Sequence, residues 1–532
     1  MRKPRHAVLA LCAATALLLA GCSSNDRPDE RGDDRTPSDD GSDSRAVPDA
    51  PVLEPLPEEI PDDLLPYYEQ ELSWSNCGGW FECATLTVPL DYEAVDSADD
   101  IELHVTRAKA TGPDSDRMGS LLLNPGGPGA SAADFVQGAA DYLFPSEVTS
   151  RYDIVGVDPR GTGGSEPVTC QSGDPMDAYT MLDRTPDSDA EAEDLFAGMQ
   201  DFAASCAEQT GELLEHISTI ESARDMDVLR AVLGDEKLTY LGYSYGTKLG
   251  AVYAGLFPQR VGRLVLDGAI DPRLPTIDTD REQAGGFETA FRSFAEDCAT
   301  YSDCPLGTEG ADAASDALLD FFARVDAEPL PSGDPDRPLT ESLATTGVSD
   351  ALYTTAYWPD LRTALTMAIE EHDGSGLLAL ADDYNERETD GTYGTTTYAF
   401  PAISCLDSPA GNDSPDEVDG ALAAYEESSP TFGRDFAWAT LMCAAWPVEP
   451  SGEPVTIPAS GAADIVVVGT LRDPATPYAW AEGLAEQLES AVLLTFDGDG
   501  HTAYGGNSSC IDDAVNAYFL QGITPEDGTT CS

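Results

Sequence analysis

Gly242-Tyr243-Ser244-Tyr245-Gly246 places a hydroxyl between two glycines, each two positions away. A strand that ends in a turn sharp enough to present a serine to a cleft needs small residues at those places, so the pentapeptide has the form of a nucleophile elbow. A Gly-rich turn with no chemistry matches the same five letters, and context has to decide. A serine hydroxyl is a poor nucleophile unless a base sits within hydrogen-bond reach. The chain has five histidines, one of them in the first six residues. His104 falls inside an expected strand, His216 before an expected helix, and His372 after another. His501, in Gly498-Asp499-Gly500-His501-Thr502, directly follows the last expected core strand. Loops at the carboxyl ends of parallel strands are where catalytic groups gather in open α/β sheets, so His501 is the expected base.

The orienting acid should lie between serine and histidine in chain order. Asp473 follows the expected strand Ile465–Gly469, one strand–helix–strand unit before His501. Asp267, after the strand that follows the elbow, is the competitor, while Asp464 precedes its strand and belongs to the wrong end of the sheet. A tetrahedral intermediate also needs N–H donors for its oxyanion. Tyr245, next after the serine, supplies one; Gly126 and Gly127, in Asn124-Pro125-Gly126-Gly127-Pro128-Gly129, are candidates for the other. That loop lacks the Gly-Lys-Ser/Thr of a phosphate-binding P-loop.

These groups need a scaffold, and the chain supplies an alternation. Strands are expected at Ile101–Lys109, Ser120–Leu123, Tyr152–Val157, Leu238–Leu241, Arg263–Leu266, Ile465–Gly469 and Val492–Phe496, with helices at Thr219–Leu233, from the elbow to Phe257, and at Tyr478–Leu488. The order implies an α/β fold with a mostly parallel, doubly wound sheet. It breaks between 273 and 457, where helical stretches such as Glu282–Cys298 and Asp360–Glu371 indicate an inserted, mainly helical lid. The expected organisation is a leader at 1–21, an acidic tether at 22–62, core at 63–272 and 458–532, and the lid between.

Arg2, Lys3 and Arg5 followed by an apolar run to Leu19 form an export signal. Leu19-Ala20-Gly21-Cys22 resembles a bacterial lipobox, which would make Cys22 a lipidated first residue and the protein a lipoprotein on the outer face of the membrane. Residues 23–62 carry few large apolar side chains, the composition of a tether. With 28 basic residues against 97 acidic, a net charge of −69 excludes nucleic acid as a partner. Of twelve cysteines, Cys12 and Cys22 belong to the leader, and the remaining ten are expected to pair in an exported protein. Short spacing suggests Cys77–Cys83 and Cys298–Cys304. Sequential pairing of the rest gives Cys170–Cys206, Cys405–Cys443 and Cys510–Cys531, although spacing alone does not determine connectivity. No metal or organic cofactor is implied.

Asn-Pro-Gly-Gly-Pro-Gly at 124–129, Val157-Asp158-Pro159-Arg160-Gly161-Thr162-Gly163-Gly164-Ser165, Gly-Tyr-Ser-Tyr-Gly-Thr at 242–247, Val265-Leu266-Asp267-Gly268 and Asp473-Pro474-Ala475-Thr476-Pro477 with His501 resemble the secreted tripeptidyl aminopeptidases of actinobacteria. These are α/β-hydrolases related to prolyl aminopeptidases. The resemblance runs from about Trp74 to the C-terminus. It implies Ser244 as nucleophile, Asp473 as orienting acid, His501 as general base, and release of short peptides from free N-termini through an acyl-enzyme. It also suggests Asp407, in a lid segment, as the anion for a substrate α-ammonium, against a reading as a capping or surface residue. A carboxylesterase or lipase on the same fold is the enzymic alternative, and a non-catalytic binding lipoprotein is the alternative from another class. Dehalogenases and epoxide hydrolases are disfavoured, since those carry Asp at the elbow.

Overall fold

The computed structural model describes residues 50–95 and 99–532. The leader, Cys22 and the first part of the tether lie outside the described residues. Ten strands form one sheet: β1 (Ser75–Gly78), β2 (Phe81–Pro89), β3 (Asp100–Ala108), β4 (Gly119–Asn124), β5 (Tyr152–Val157), β6 (Leu238–Tyr243), β7 (Val261–Asp267), β8 (Ile465–Arg472), β9 (Ala491–Asp499) and β10 (Thr529–Cys531). Their order across the sheet is β1-β2-β3-β5-β4-β6-β7-β8-β9-β10. The β1–β2, β2–β3 and β3–β5 pairs are antiparallel; from β5 to β10 every pair is parallel.

Helices cover both faces, and the central strands show it: all six residues of β4 and of β5 are buried, as expected of strands enclosed on two sides. β4 stands between β5 and β6, so the chain reverses its direction of winding there, opening a crevice at the carboxyl ends of the strands. Asn124 at the end of β4 pairs with Gly242 in β6. The glycine loop and the serine turn therefore leave the sheet side by side.

The regular structure between β7 and β8 is helical apart from two isolated bridges, Leu330 with Leu339 and Thr456 with Val52. It has its own apolar interior, including Phe291, Phe294, Leu318, Leu343 and Leu361. Its ends meet at a neck, where the Val455 N–H donates to the Pro272 carbonyl at 2.9 Å. A second helical excursion, Asp174–Thr180 and Asp189–Thr210, leaves the core after β5. Leu195 and Met199 from it pack with Trp438 and Leu441 of the lid. In the acid-rich helix Asp189–Thr210, Ala192, Leu195, Met199, Phe202, Ala203 and Cys206 form the buried face.

The expected tether is shorter than 22–62. Leu53 N–H donates to the Thr456 carbonyl and Leu56 N–H to the Leu256 carbonyl, both at 2.9 Å. Leu53 and Leu56 also pack on the main core. Two leucines and three backbone bonds, the third from Thr456 N–H to the Pro51 carbonyl, hold this segment to the domain despite its polar, proline-rich surroundings. Disulfides join Cys77–Cys83, Cys170–Cys206, Cys298–Cys304, Cys405–Cys443 and Cys510–Cys531. Among the described residues, no helix is long and apolar enough to cross a membrane.

Candidate active site

Ser244 sits between β6 and the helix Tyr245–Leu256 at φ 53°, ψ −122°. This is a left-handed conformation that a residue with a Cβ holds only under constraint. The constraints are visible. The Ser244 N–H donates to the Asp267 carbonyl at 2.9 Å, and its own carbonyl accepts from Thr247 N–H at 2.8 Å. The flanking glycines are required by space: a Cβ on Gly242 would stand 2.3 Å from the Gly246 carbonyl oxygen, and one on Gly246 would stand 2.8 Å from that of Asn124. Ser244 keeps partial exposure at the mouth of the crevice.

Asp473 and His501 come from the ends of β8 and β9, which Arg472 ties together through Asp499 (2.8 Å) and Asp497 (2.9 Å). His501 Nδ1 donates to Asp473 Oδ1 at 2.8 Å and lies 3.0 Å from Oδ2. A carboxylate only accepts, so the proton is on Nδ1 and Nε2 is the free base atom. The Asp473 carboxylate is itself held by the N–H groups of Ala475 and Thr476, both at 2.9 Å, and Thr502 at 3.2 Å. His501 Nε2 is buried and bonds nothing. The bond from Ser244 Oγ is therefore not closed; such contacts commonly tighten only when substrate binds. The imidazole nevertheless lies beside the elbow. A Cβ on Gly268, one residue after the Asp267 that holds Ser244, would be 3.1 Å from His501 Cε1. Burial works to lower the His501 pKa, but the charge and hydrogen bond of Asp473, aided by the charge of Asp267, outweigh it and raise it above 6.5.

Asp267 does not orient the imidazole. Its buried carboxylate accepts from Ala503 N–H at 3.0 and 3.1 Å and from Tyr504 N–H at 2.7 Å, fixing the loop just beyond His501. Burial pushes it up to about 7, against the lowering effect of those two N–H groups.

The glycine loop packs on the elbow so closely that a Cβ on Gly126 would stand 2.8 Å from Ser244 Cβ. Its N–H, however, donates to Asn124 Oδ1 at 3.0 Å. Gly126 is thus a spacer and not an oxyanion donor, which corrects the sequence expectation and leaves Gly127 and Tyr245. As first residue of its helix Tyr245 has an N–H with no partner inside the helix. Asp158 buttresses the region, accepting from Ser131 Oγ (2.8 Å), Ala133 N–H (2.9 Å) and Gly164 N–H (2.8 Å). Arg160 is wholly buried with Asp225, so the Asp158–Ser165 motif is scaffold.

Asp407 also differs from expectation. It is buried, and its oxygens take the Thr219 N–H at 2.8 Å, the Thr219 hydroxyl, and Lys248 Nζ at 2.9 Å. Its charge is already neutralised inside the protein, so it has none to offer a substrate ammonium.

Tyr353 of the lid was not legible in sequence. Its carbonyl accepts the His501 N–H at 2.8 Å, and its ring meets the imidazole edge-on with centroids 5.5 Å apart. Nothing local marks it, because the contact joins residues from the lid and the last core loop. Among the described residues, two groups could gather round a cation, Asp91/His216/Glu221 and Asp183/Asp326/Glu341. Neither includes a triad residue, and Arg160 Nη1 lies 3.5 Å from Glu221 in the first.

The geometry suits acyl transfer: a strained hydroxyl, an imidazole oriented by a carboxylate, and a glycine loop packed against the serine turn. Comparison with known proteins agrees. Residues 119–312 match the family model described as alpha/beta hydrolase fold, and residues 429–531 match that described as TAP-like protein. The chain is 39% identical to serine protease Hip1 of Mycobacterium tuberculosis over 88% of its length and 92% of that protein's. It is 38% identical to carboxylesterase B of the same organism (88% and 91%). With the tripeptidyl aminopeptidase of Streptomyces coelicolor it shares 31% identity, over 87% and 86%. On these matches and this fold, the chain belongs to the tripeptidyl aminopeptidase-like family of α/β-hydrolases and is a serine hydrolase.

Proposed function

We propose that this serine hydrolase is an aminopeptidase that releases tripeptides or other short peptides from free N-termini. The carrying observation is the Asp473–His501 pair at 2.8 Å beside a serine held at φ 53°. Ser244 Oγ attacks the scissile carbonyl as His501 Nε2 takes its proton. Asp473 stabilises the imidazolium, and the Gly127 and Tyr245 N–H groups receive the oxyanion. Each such donor is worth roughly 3 kcal/mol in the transition state. His501 then protonates the leaving amine, and water repeats the sequence on the acyl-enzyme. The lid helix Thr396–Asp407 rests on the glycine loop, where a Cβ on Gly129 would be 2.7 Å from Ala399 Cβ, so the lid roofs the cleft. A roof limits access to chain ends, which supports an exopeptidase.

Residues Arg2 to Cys22 and the five disulfides support export, with Cys22 as lipid anchor to the outer face of the membrane. Radiolabelled fatty acid should be incorporated into the full chain and not into Cys22→Ala. The relative named carboxylesterase favours a second reading, an acyl-ester hydrolase. Profiling on free and N-acetylated tripeptide chromogenic amides and on acyl esters decides: an aminopeptidase loses the blocked amide, and an enzyme that turns over only esters refutes the proposal.

A further inference from the structure

The lid helix Thr276–Cys298 lies against the loop that carries the orienting acid. Gly286 and Phe287 follow Gln283 by three and four residues, so the three share one face of that helix. Gly286 lets the backbones close: a Cβ there would stand 2.6 Å from the Pro474 carbonyl oxygen and 3.0 Å from that of Asp473. Phe287 is buried and meets the Tyr353 ring edge-on at 5.7 Å, and the Tyr353 carbonyl holds the His501 N–H. Gln283 Nε2 donates to the Ala475 carbonyl at 2.5 Å. One helix face thus reaches the loop of the acid directly and the base through a single aromatic contact.

The Gln283 bond bears on a particular peptide. The Ala475 carbonyl and the Thr476 N–H belong to one planar unit and point in opposite directions. That N–H donates to Asp473 Oδ1 at 2.9 Å, and the same oxygen accepts His501 Nδ1–H at 2.8 Å. Side-chain amide, peptide and carboxylate therefore form one line of hydrogen bonds that ends on the imidazole. Donation at the carbonyl end polarises the peptide and strengthens its N–H as a donor. It also resists rotation of the peptide plane, which would swing the N–H away from the carboxylate. Ala475 is 4% exposed, so solvent has little access to take over the bond.

We propose that Gln283 is a positioning residue of the catalytic apparatus: it sets the Ala475–Thr476 peptide, and through it the Asp473 oxygen that orients His501. The lid then braces the acid as well as roofing the cleft. The assignment rests on the serine-hydrolase triad and is independent of whether the substrate is a peptide or an ester.

The test uses the full disulfide-bonded chain and a chromogenic tripeptide amide or acyl ester that the wild type turns over. Gln283→Met keeps the length of the side chain and removes the donor. Its kcat should fall about tenfold, as for a small misplacement of a catalytic group, with KM within about twofold of wild type. In an Asp473→Ala background the peptide has no carboxylate to hold, and the same substitution should change kcat by less than about twofold. Gln283→Asn, one methylene short of the carbonyl, should lose kcat likewise and carries the test if thermal unfolding shows Gln283→Met unfolded. Glu282→Ala removes a neighbouring lid-to-core bond, from Trp480 Nε1 at 2.7 Å, and should keep the wild-type kcat. A folded Gln283→Met with wild-type kcat overturns the proposal. So does an equal loss in Glu282→Ala, or a tenfold loss that persists in the Asp473→Ala background, since either assigns the effect to seating of the lid in general.

Discussion

The Asp407 carboxylate, at the end of the lid helix Thr396–Asp407, lies 2.9 Å from Lys248 Nζ, one turn into the helix that begins at the nucleophile. The same carboxylate grips Thr219, whose hydroxyl is 2.6 Å from the Tyr245 phenol oxygen. Lid, helix Thr219–Val232 and elbow helix are thus joined at one buried point, at the residue that follows Ser244. Removing the anion strands the ammonium. Asp407→Asn should cost about 2 kcal/mol, below the usual figure for a buried pair because Lys248 keeps some exposure. Asp407→Leu with Lys248→Met should recover most of that. Thermal unfolding of the two variants and the wild type with disulfides intact measures it; equal losses in the single and double variants would show that the ion pair is not the source.

Ser244→Ala should abolish turnover and fluorophosphonate labelling. At φ 53° a Cβ is strained by about 1–3 kcal/mol, whereas glycine tolerates the conformation at an entropic cost near 1 kcal/mol. Ser244→Gly should therefore be inactive yet at least as stable as Ser244→Ala. A markedly less stable glycine variant would contradict the strained turn.

The pH profile should follow His501. Its base form is needed, and its pKa is raised, so the acidic limb of kcat/KM should fall above pH 6.5. In Asp473→Asn burial acts with much less opposition, and the limb should move down while kcat drops by about 10⁴. The stability term has the opposite sense. A raised folded-state pKa favours the protonated native form, so the His501 contribution is complete below the unfolded value of 6.5 and is lost as pH climbs through the raised folded value. Asp267, pushed up to about 7, acts likewise: its contribution is complete below the ordinary carboxylate pKa of 3.8 and lost by about pH 7. Stability measured from pH 5 to 8 in Asp267→Asn should show a shallower decline than in the wild type.

Asp267→Asn has a second consequence. An amide offers at most one acceptor atom to the Ala503 and Tyr504 N–H groups and turns donors toward the other. The loop that carries His501 should loosen. We expect kcat to fall about 10- to 100-fold, the range for a small misplacement of a catalytic group, with KM nearly unchanged. A change confined to KM would remove Asp267 from the positioning of the histidine.

The triad residues were legible because their neighbours in sequence carry steric requirements. Gly242 and Gly246 are needed where Cβ atoms would collide with backbone, and a parallel strand delivers whatever follows it to one edge of the sheet. Seven strands fell within a few residues of expectation, because Val, Ile and Leu recur through them, while β1, β2 and β10 were not expected. Residues 50–62 and the helix Asp189–Thr210 were not legible, since their anchoring depends on the groove or partner helix they meet.

By itself, then, the sequence determined seven strands of the sheet and the segments that carry Ser244, Asp473 and His501, because these are properties of short segments with fixed periodicity and obligatory glycines. The tertiary structure alone decided what each surplus carboxylate does. Asp267, Asp350, Asp407 and Asp473 are the same side chain. One braces a loop through two N–H groups, one has an oxygen with no donor, one pairs with Lys248 and one orients His501. Distant segments supply the partners that separate these roles, and desolvation by the whole fold sets how strongly each acts.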